Sequence, residues 1–288
     1  MTNVKKLQIA DINIAIHSEF DFDLSDKCKI FEANFEKADI YFILNFSYRI
    51  ELNGYSLVYQ NGLFEYYTCN NKFIKISYVD WKKKKIDWYS VHEKLNNIHY
   101  IYYLNDFEKN RFKINPLYYV DITNFFIQNN AMVLHSSLID FNGNGIIFSA
   151  PSGTGKSTQA NLWNKYKNAI ILNGDRSIIR KLDDYYAYGS PYAGSSDIYL
   201  NKKVRIKAII VLKQAPYNKI SRLDYKHAFL HILSEMSLTT WNKNFINLEI
   251  TFLKEVIENI PVYLLECLPN EEAVNLVFDK LRGDFDGY

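Results

Sequence analysis

Eight consecutive residues, Ala150 to Ser157 in APSGTGKS, carry the clearest chemistry in this chain. Gly153 and Gly155 let backbone N–H groups converge on an anion with no Cβ in the way. Lys156 is long enough to reach the β and γ oxygens of a nucleotide, and the Ser157 hydroxyl is a ligand type that Mg²⁺ accepts. A helix starting here would add its N-terminal N–H groups and the positive end of its dipole. Ser152, Gly153, Thr154, Gly155, Lys156, Ser157 and Thr158 are therefore the residues expected to wrap phosphate. A bare GKS tripeptide would mean little. Here the eight-residue frame, the apolar GIIFSA before it and the amphipathic STQANLWNKY after it agree on strand, loop and helix.

Nucleotide chemistry next needs an acid near the loop. Many hydrolases place it after a downstream strand, but the obvious one, AIIVL at 208–212, ends in Lys213 and Gln214. The acid comes early instead: Asp175 closes AIILNGD just past the loop's helix. That short spacing argues against a motor, a transporter or a switch GTPase. The bland alternative for Asp175 is a turn-capping role. His135 opens VLHSSLIDF, a strand expected beside the loop strand, where a packed histidine competes with a catalytic one.

Other side chains are weaker candidates. Arg176 and Arg180 follow Asp175 and either face phosphate or are solvated strand positions. Arg205, Lys207 and Arg222 flank the AIIVL strand as possible nucleotide or substrate contacts, and Tyr192 in SPYAG either stacks on a ring or packs. His227 and His231, at i and i+4, would share a helix face, yet no third zinc ligand or intervening glutamate accompanies them. Asp183-Asp184 reads as a hairpin tip.

Stepping outward, residues 1 to about 112 alternate with period two in bursts such as ADIYFILNF and KFIKISYVDW, broken at Asn53-Gly54 and Asn61-Gly62. This predicts an antiparallel β-rich part with tight turns. WKKKKIDW, 81–88, reads as a lysine-guarded hairpin or edge strand. From 113 to 288 the pattern becomes mixed α/β: a helix in NPLYYVDITNFFIQNN, two strands joined by Asn142-Gly143-Asn144-Gly145, the loop, and three helical pieces from Asp224 onward with VYLLEC between the last two.

Composition narrows the class. A net charge of +2 gives no field for nucleic acid or a membrane surface. Three scattered cysteines with no CxxC pair offer neither a zinc knuckle nor a disulfide framework, and fit a reducing cytoplasm. The N-terminus lacks the apolar run of a signal peptide, and no segment is long enough to span a bilayer. The 16% aromatic content is read as compositional bias rather than a base-stacking platform.

With HSSLIDF, SAPSGTGKST, NGD and GSPYAGSSDIYLNKKVRIKAIIVL in this order, residues 115 to 225 resemble the catalytic domain of HPr kinase/phosphorylase and its relatives, which share a phosphate-binding core with phosphoenolpyruvate carboxykinases. The resemblance implies an ATP- and Mg²⁺-dependent kinase acting on a Ser hydroxyl of a protein or peptide. In that reading the loop and Lys156 hold phosphates and Ser157 holds the metal. Asp175 is a second metal ligand or accepts the acceptor's proton, with His135 hydrogen-bonded nearby. It also implies homo-oligomer assembly. The chain departs from the bifunctional enzymes in three ways. Gly174-Asp175 replaces their paired Asp, Thr158 and Gln159 stand where an acid often follows, and the downstream Gly-rich signature of the reverse reaction is missing. The likeness is therefore nearer to stand-alone relatives, some of which modify ribosomally made peptides. A kinase of a small hydroxylated metabolite, or a nucleotide-binding accessory protein without transfer activity, remain the alternatives.

Overall fold

Alternating apolar residues in INIAIHS and IYFILNFS make strands that bury one side, and the first half of the chain collects such strands into a sheet. The computed structural model describes residues 3–47, 49–70, 72–80, 82, 84–93, 98–104, 113–114 and 122–284. The chain divides into two compact units, Met1–Ile122 and Thr123–Tyr288.

The first unit contains β1 (Asn3–Ile9), β2 (Ile12–Ser18), β3 (Asp23–Leu24), the short α1 (Asp26–Lys29), β4 (Ile40–Ser47), β5 (Ser56–Gln60), β6 (Phe64–Cys69), β7 (Lys72–Asp80), β8 (Lys85–Glu93), β9 (Ile98–Leu104) and β10 (Lys113–Ile114). Eight strands form one sheet in the order β1-β2-β4-β9-β8-β7-β6-β5. The expectation of an antiparallel part needs correction. β2–β4 and β4–β9 pair in parallel, so the sheet is mixed. Sequence alternation fixes which face is buried but is blind to strand direction, and the β5–β8 meander is itself the long connection that returns β9 beside β4. The lysine run lies at the β7–β8 turn between two interior strands rather than at an edge, with Lys84 paired to Glu65 at 2.6 Å; Trp81 and Lys83 lie outside the described residues. Asn53-Gly54 and Asn61-Gly62 do turn the chain, each glycine at φ near 80°.

α2 (Ile122–Gln128) spans the division between units; residues 115–121 of the helix expected there lie outside the described residues. The second unit continues with β11 (Ala131–Phe141), β12 (Asn144–Ser149), α3 (Lys156–Lys167), β13 (Ile170–Asn173), β14 (Arg176–Lys181), β15 (Tyr185–Tyr188), β16 (Lys203–Gln214), β17 (Lys219–Arg222), α4 (Tyr225–Glu235), α5 (Lys243–Asn259), β18 (Val262–Cys267) and α6 (Glu271–Leu281). Asn142-Gly143, at φ 51° and 82°, forms the two-residue turn between β11 and β12.

The second sheet is also mixed and curls until β12 meets β16, so β12, β11, β14, β15 and β16 form a closed circuit, with β18 and β17 extending it. Opposite faces of its strands feed two cores. Ile209 and Val211 of β16 join Ile232, Phe252, Leu253 and Val256 of α4 and α5. Ala208, Ile210 and Leu212 join Trp163 of α3 and Val274 and Val277 of α6. Helices thus cover both faces, as the apolar runs of β11 and β16 require. Trp163 is fully buried and meets Phe141 edge to face at 5.6 Å, fixing α3 on the sheet.

Candidate active site

The glycine loop joins the end of β12 to α3. Gly153 has φ 80°, and Gly155, the residue before α3, has φ 117°, conformations that a Cβ would strain. Asp224, Asn242 and Asn270 cap the first turns of α4, α5 and α6 with their side chains. α3 starts at Gly155 with no side-chain cap, leaving its first N–H groups directed into the loop. Gln214, at the end of β16, reaches the loop carbonyls of Gly153 and Thr154 with its amide, 3.4 Å from each. Lys156 is buried, and its ammonium donates to Ala150 O at 2.7 Å and Pro151 O at 3.3 Å. Burial pushes this ammonium below the usual lysine range, an effect opposed by the carboxylates of Glu235 and Asp175.

Asp175 sits where the strand beside β11 breaks. β13 pairs with Leu138–Asp140 of β11 and β14 with Ala131–His135, and the Gly174-Asp175 step lies between them. Asn173 builds this step. Its buried Oδ1 accepts the N–H groups of Asp175 at 2.9 Å and Arg176 at 2.7 Å, while Nδ2 donates to Ser190 O and Tyr192 O. The 190–198 loop closes over the acid. A Cβ on Gly194 would lie 2.7 Å from the Asp175 carboxyl carbon, so only glycine allows this approach. Ser157 Oγ lies 3.4 Å from Gly174 O, bringing the start of α3 against the acid's turn.

His135 is paired in register with Arg176, so its ring reaches the Asp175 carboxylate, Nε2 to Oδ1 at 3.6 Å. Its Nδ1 meets Glu235 Oε2 at 2.9 Å. Arg176 lies on the other side of the carboxylate, Nε to Oδ2 at 3.7 Å, with Nη1 donating to Ser237 Oγ and Tyr192 across its plane. Lys156, Ser157, Asp175 and His135 therefore converge. Thr154 and Thr158 belong to the same loop and first turn. Uncapped N–H groups, a lysine, a hydroxyl and a carboxylate make a donor set suited to phosphate and to a hard, oxygen-seeking cation such as Mg²⁺.

The remaining candidates are elsewhere. Arg205 pairs in register with Asn144, at the opposite end of β12 from the loop, and binds Asp184 at the β14–β15 hairpin tip. Lys207 is two residues on, between the partners of Gly145 and Ile146 in the first half of β12. Arg180 donates to Asn129 O, and Arg222 ends the outlying strand β17. His227 binds Asp224 at the exposed start of α4. Among the described residues no three His, Cys, Asp or Glu side chains are grouped to hold a metal ion.

The profile of the SynChlorMet cassette protein ScmC family matches residues 113–269. This chain belongs to the ScmC family. The ScmC match contains the glycine loop, His135, Asp175, Arg176 and Glu235, and ends before α6. A search of curated proteins found no match. Among solved structures, the Hpr(Ser) kinase/phosphatase from Coxiella burnetii is similar with a TM-score of 0.32 and 12% identity, covering 53% of this chain and 99% of that one. A likeness of that size assigns no residue its role. No helix among the described residues is long and apolar enough to cross a membrane.

Sequence reasoning overlooked Asn173, Glu235, Gly194 and Ser196. Asn-Gly-Asp is a turn signal that pointed at Asn173. Glu235 has no local signal, because its partner His135 lies 100 residues away.

Proposed function

We propose that this protein is an ATP- and Mg²⁺-dependent kinase that transfers the γ-phosphoryl group to a Ser or Thr hydroxyl of a peptide or protein in the cytoplasm, a ribosomally made precursor peptide being the favoured acceptor. The observation that carries this reading is Asp175, held at the strand break beside His135 with its turn against Ser157. Residues 152–158 cradle the phosphates through their N–H groups, and Lys156 exchanges the carbonyls of Ala150 and Pro151 for phosphate oxygens. Ser157 and Asp175 would hold Mg²⁺, which when bound would supply charge neutralisation for the transferring group.

Phosphoryl transfer is loose and asks the protein mainly for alignment and charge neutralisation. The acceptor hydroxyl gives its proton to the Asp175 carboxylate as its oxygen bonds to the γ-phosphorus. The bond from that phosphorus to the β–γ bridging oxygen breaks, and ADP leaves. Arg176, exposed beside Asp175, adds positive charge where the phosphoryl oxygens pass. The family's description names no reaction, and the acceptor class rests on the sequence resemblance.

Incubation with labelled ATP and Ser/Thr peptides, followed by mass spectrometry, tests the proposal. Phosphoserine or phosphothreonine on a peptide is the expected product. Label found only on small hydroxylated metabolites would make the protein a metabolite kinase. Tight nucleotide binding without transfer to any acceptor would make it an accessory protein.

A further inference from the structure

We propose that Glu235 is a positioning residue for His135, fixing the imidazole with Nδ1–H toward Glu235 and Nε2 toward Asp175. β12 covers β11 only from Ser136 onward, so the same edge of β11 is open at Val133 to His135. The chain leaving α4 fills that gap. Met236 bridges antiparallel to Leu134, and Ser237 N donates to Val133 O at 3.0 Å. One residue back along this added segment is Glu235; one residue forward along β11 is His135. They are thus cross-strand neighbours, which accounts for the 2.9 Å contact from Nδ1 to Oε2.

On the other edge of β11 the register pairs His135 with Arg176, and Asp175, one residue back at the strand break, reaches the same ring, Oδ1 lying 3.6 Å from Nε2. Three side chains from three segments therefore form one row, Glu235, His135 and Asp175. The Glu235 side chain is only 9% exposed, against 26% for His135 and 31% for Asp175, so the row runs from inside outward. A carboxylate has only acceptor oxygens, so a contact at this distance places the proton on Nδ1. A buried acceptor on one ring nitrogen decides which nitrogen faces the chemistry, the arrangement by which an outer carboxylate sets a histidine's tautomer in other active sites.

The role in catalysis rests on the kinase reading above; the orientation of the ring does not. Two measurements separate them. In ¹⁵N-histidine NMR of the free protein, His135 should show a protonated Nδ1, and Glu235→Ala should disperse that signal while the remaining histidines keep theirs. In peptide phosphorylation, Glu235→Ala should lower kcat about 100-fold with the KM for ATP changed less than about twofold. Glu235→Gln, whose amide oxygen still accepts from Nδ1–H, should recover at least about tenfold of the loss. Added to His135→Ala, Glu235→Ala should cost less than about twofold more. A proton on Nε2 alone, unchanged ring shifts in Glu235→Ala, or losses that multiply in the double variant would overturn the proposal. If the wild-type protein transfers no phosphate, the kinase reading fails and the ring spectrum alone decides the role of Glu235.

Discussion

The Ser196 hydroxyl occupies the place in which a Cβ on Gly174 would have to lie. Ser196 is held there by donating to Ala193 O at 2.7 Å. The residue before Asp175 is thus a glycine for want of space, and a second carboxylate has no room beside the first. Gly174→Ala should destabilise the protein by about 1–3 kcal/mol, the range for overpacking, and Gly174→Asp by at least as much. Thermal melts would show it, and Ser196→Gly should return part of the loss to Gly174→Ala. An unchanged melting temperature in Gly174→Ala would mean that the 190–198 loop yields freely.

Asp175→Asn keeps the shape of the acid and removes its basicity. Nucleotide affinity should stay within a few-fold, while transfer to a hydroxyl falls by about 10²–10⁴, the range for loss of a general base. Isothermal titration beside a turnover assay separates the two. Equal transfer by the variant would remove Asp175 from the role of proton acceptor.

Lys156 illustrates a cost carried by the protein alone. Its ammonium is buried and its pKa is lowered from 10.5. Because the unfolded chain holds this proton more tightly, the penalty is fully present below the folded value and fades as pH rises toward 10.5. Lys156→Met should therefore compare best with wild type in stability near neutral pH, and that difference should shrink as the solution becomes alkaline. Denaturant titrations across pH 7 to 10.5 check this. The same variant should bind nucleotide about 10- to 150-fold more weakly, the value of a charge-assisted phosphate contact.

Cys28 gives an independent pH handle in the first unit. Burial pushes its thiol from 9.0 up to about 11. The folded state then holds the proton more tightly, so stability is intact below pH 9 and declines through pH 11, by about 2–3 kcal/mol in total. Cys28→Ala should flatten this decline relative to wild type, and Cys28 should resist alkylation at pH 8 in the folded protein.

The loop, its strand and its helix were legible in sequence because all three are local: eight residues, one apolar run and one amphipathic run. Asp175 was legible because it follows the loop by a short, ordered stretch. Strand direction around β4 was not, since parallel and antiparallel partners demand the same alternation. The place of Arg205 was not legible either, because a cation on the strand next to the loop strand says nothing about which end of it is reached; the register with Asn144 decides that. Glu235 was hidden because its meaning depends on a two-residue annex to β11.

That β11 has β12 on one edge and the β13–β14 pair on the other has a mechanical meaning. The strand ends from which the donor loop and the acid spring are set apart by two inter-strand spacings, roughly 9–10 Å of hydrogen-bonded sheet. No joint lies between them, and no closing motion can bring them nearer without tearing the ladder. In the proposed kinase, any large movement therefore belongs to the incoming hydroxyl and the surface loops that admit it.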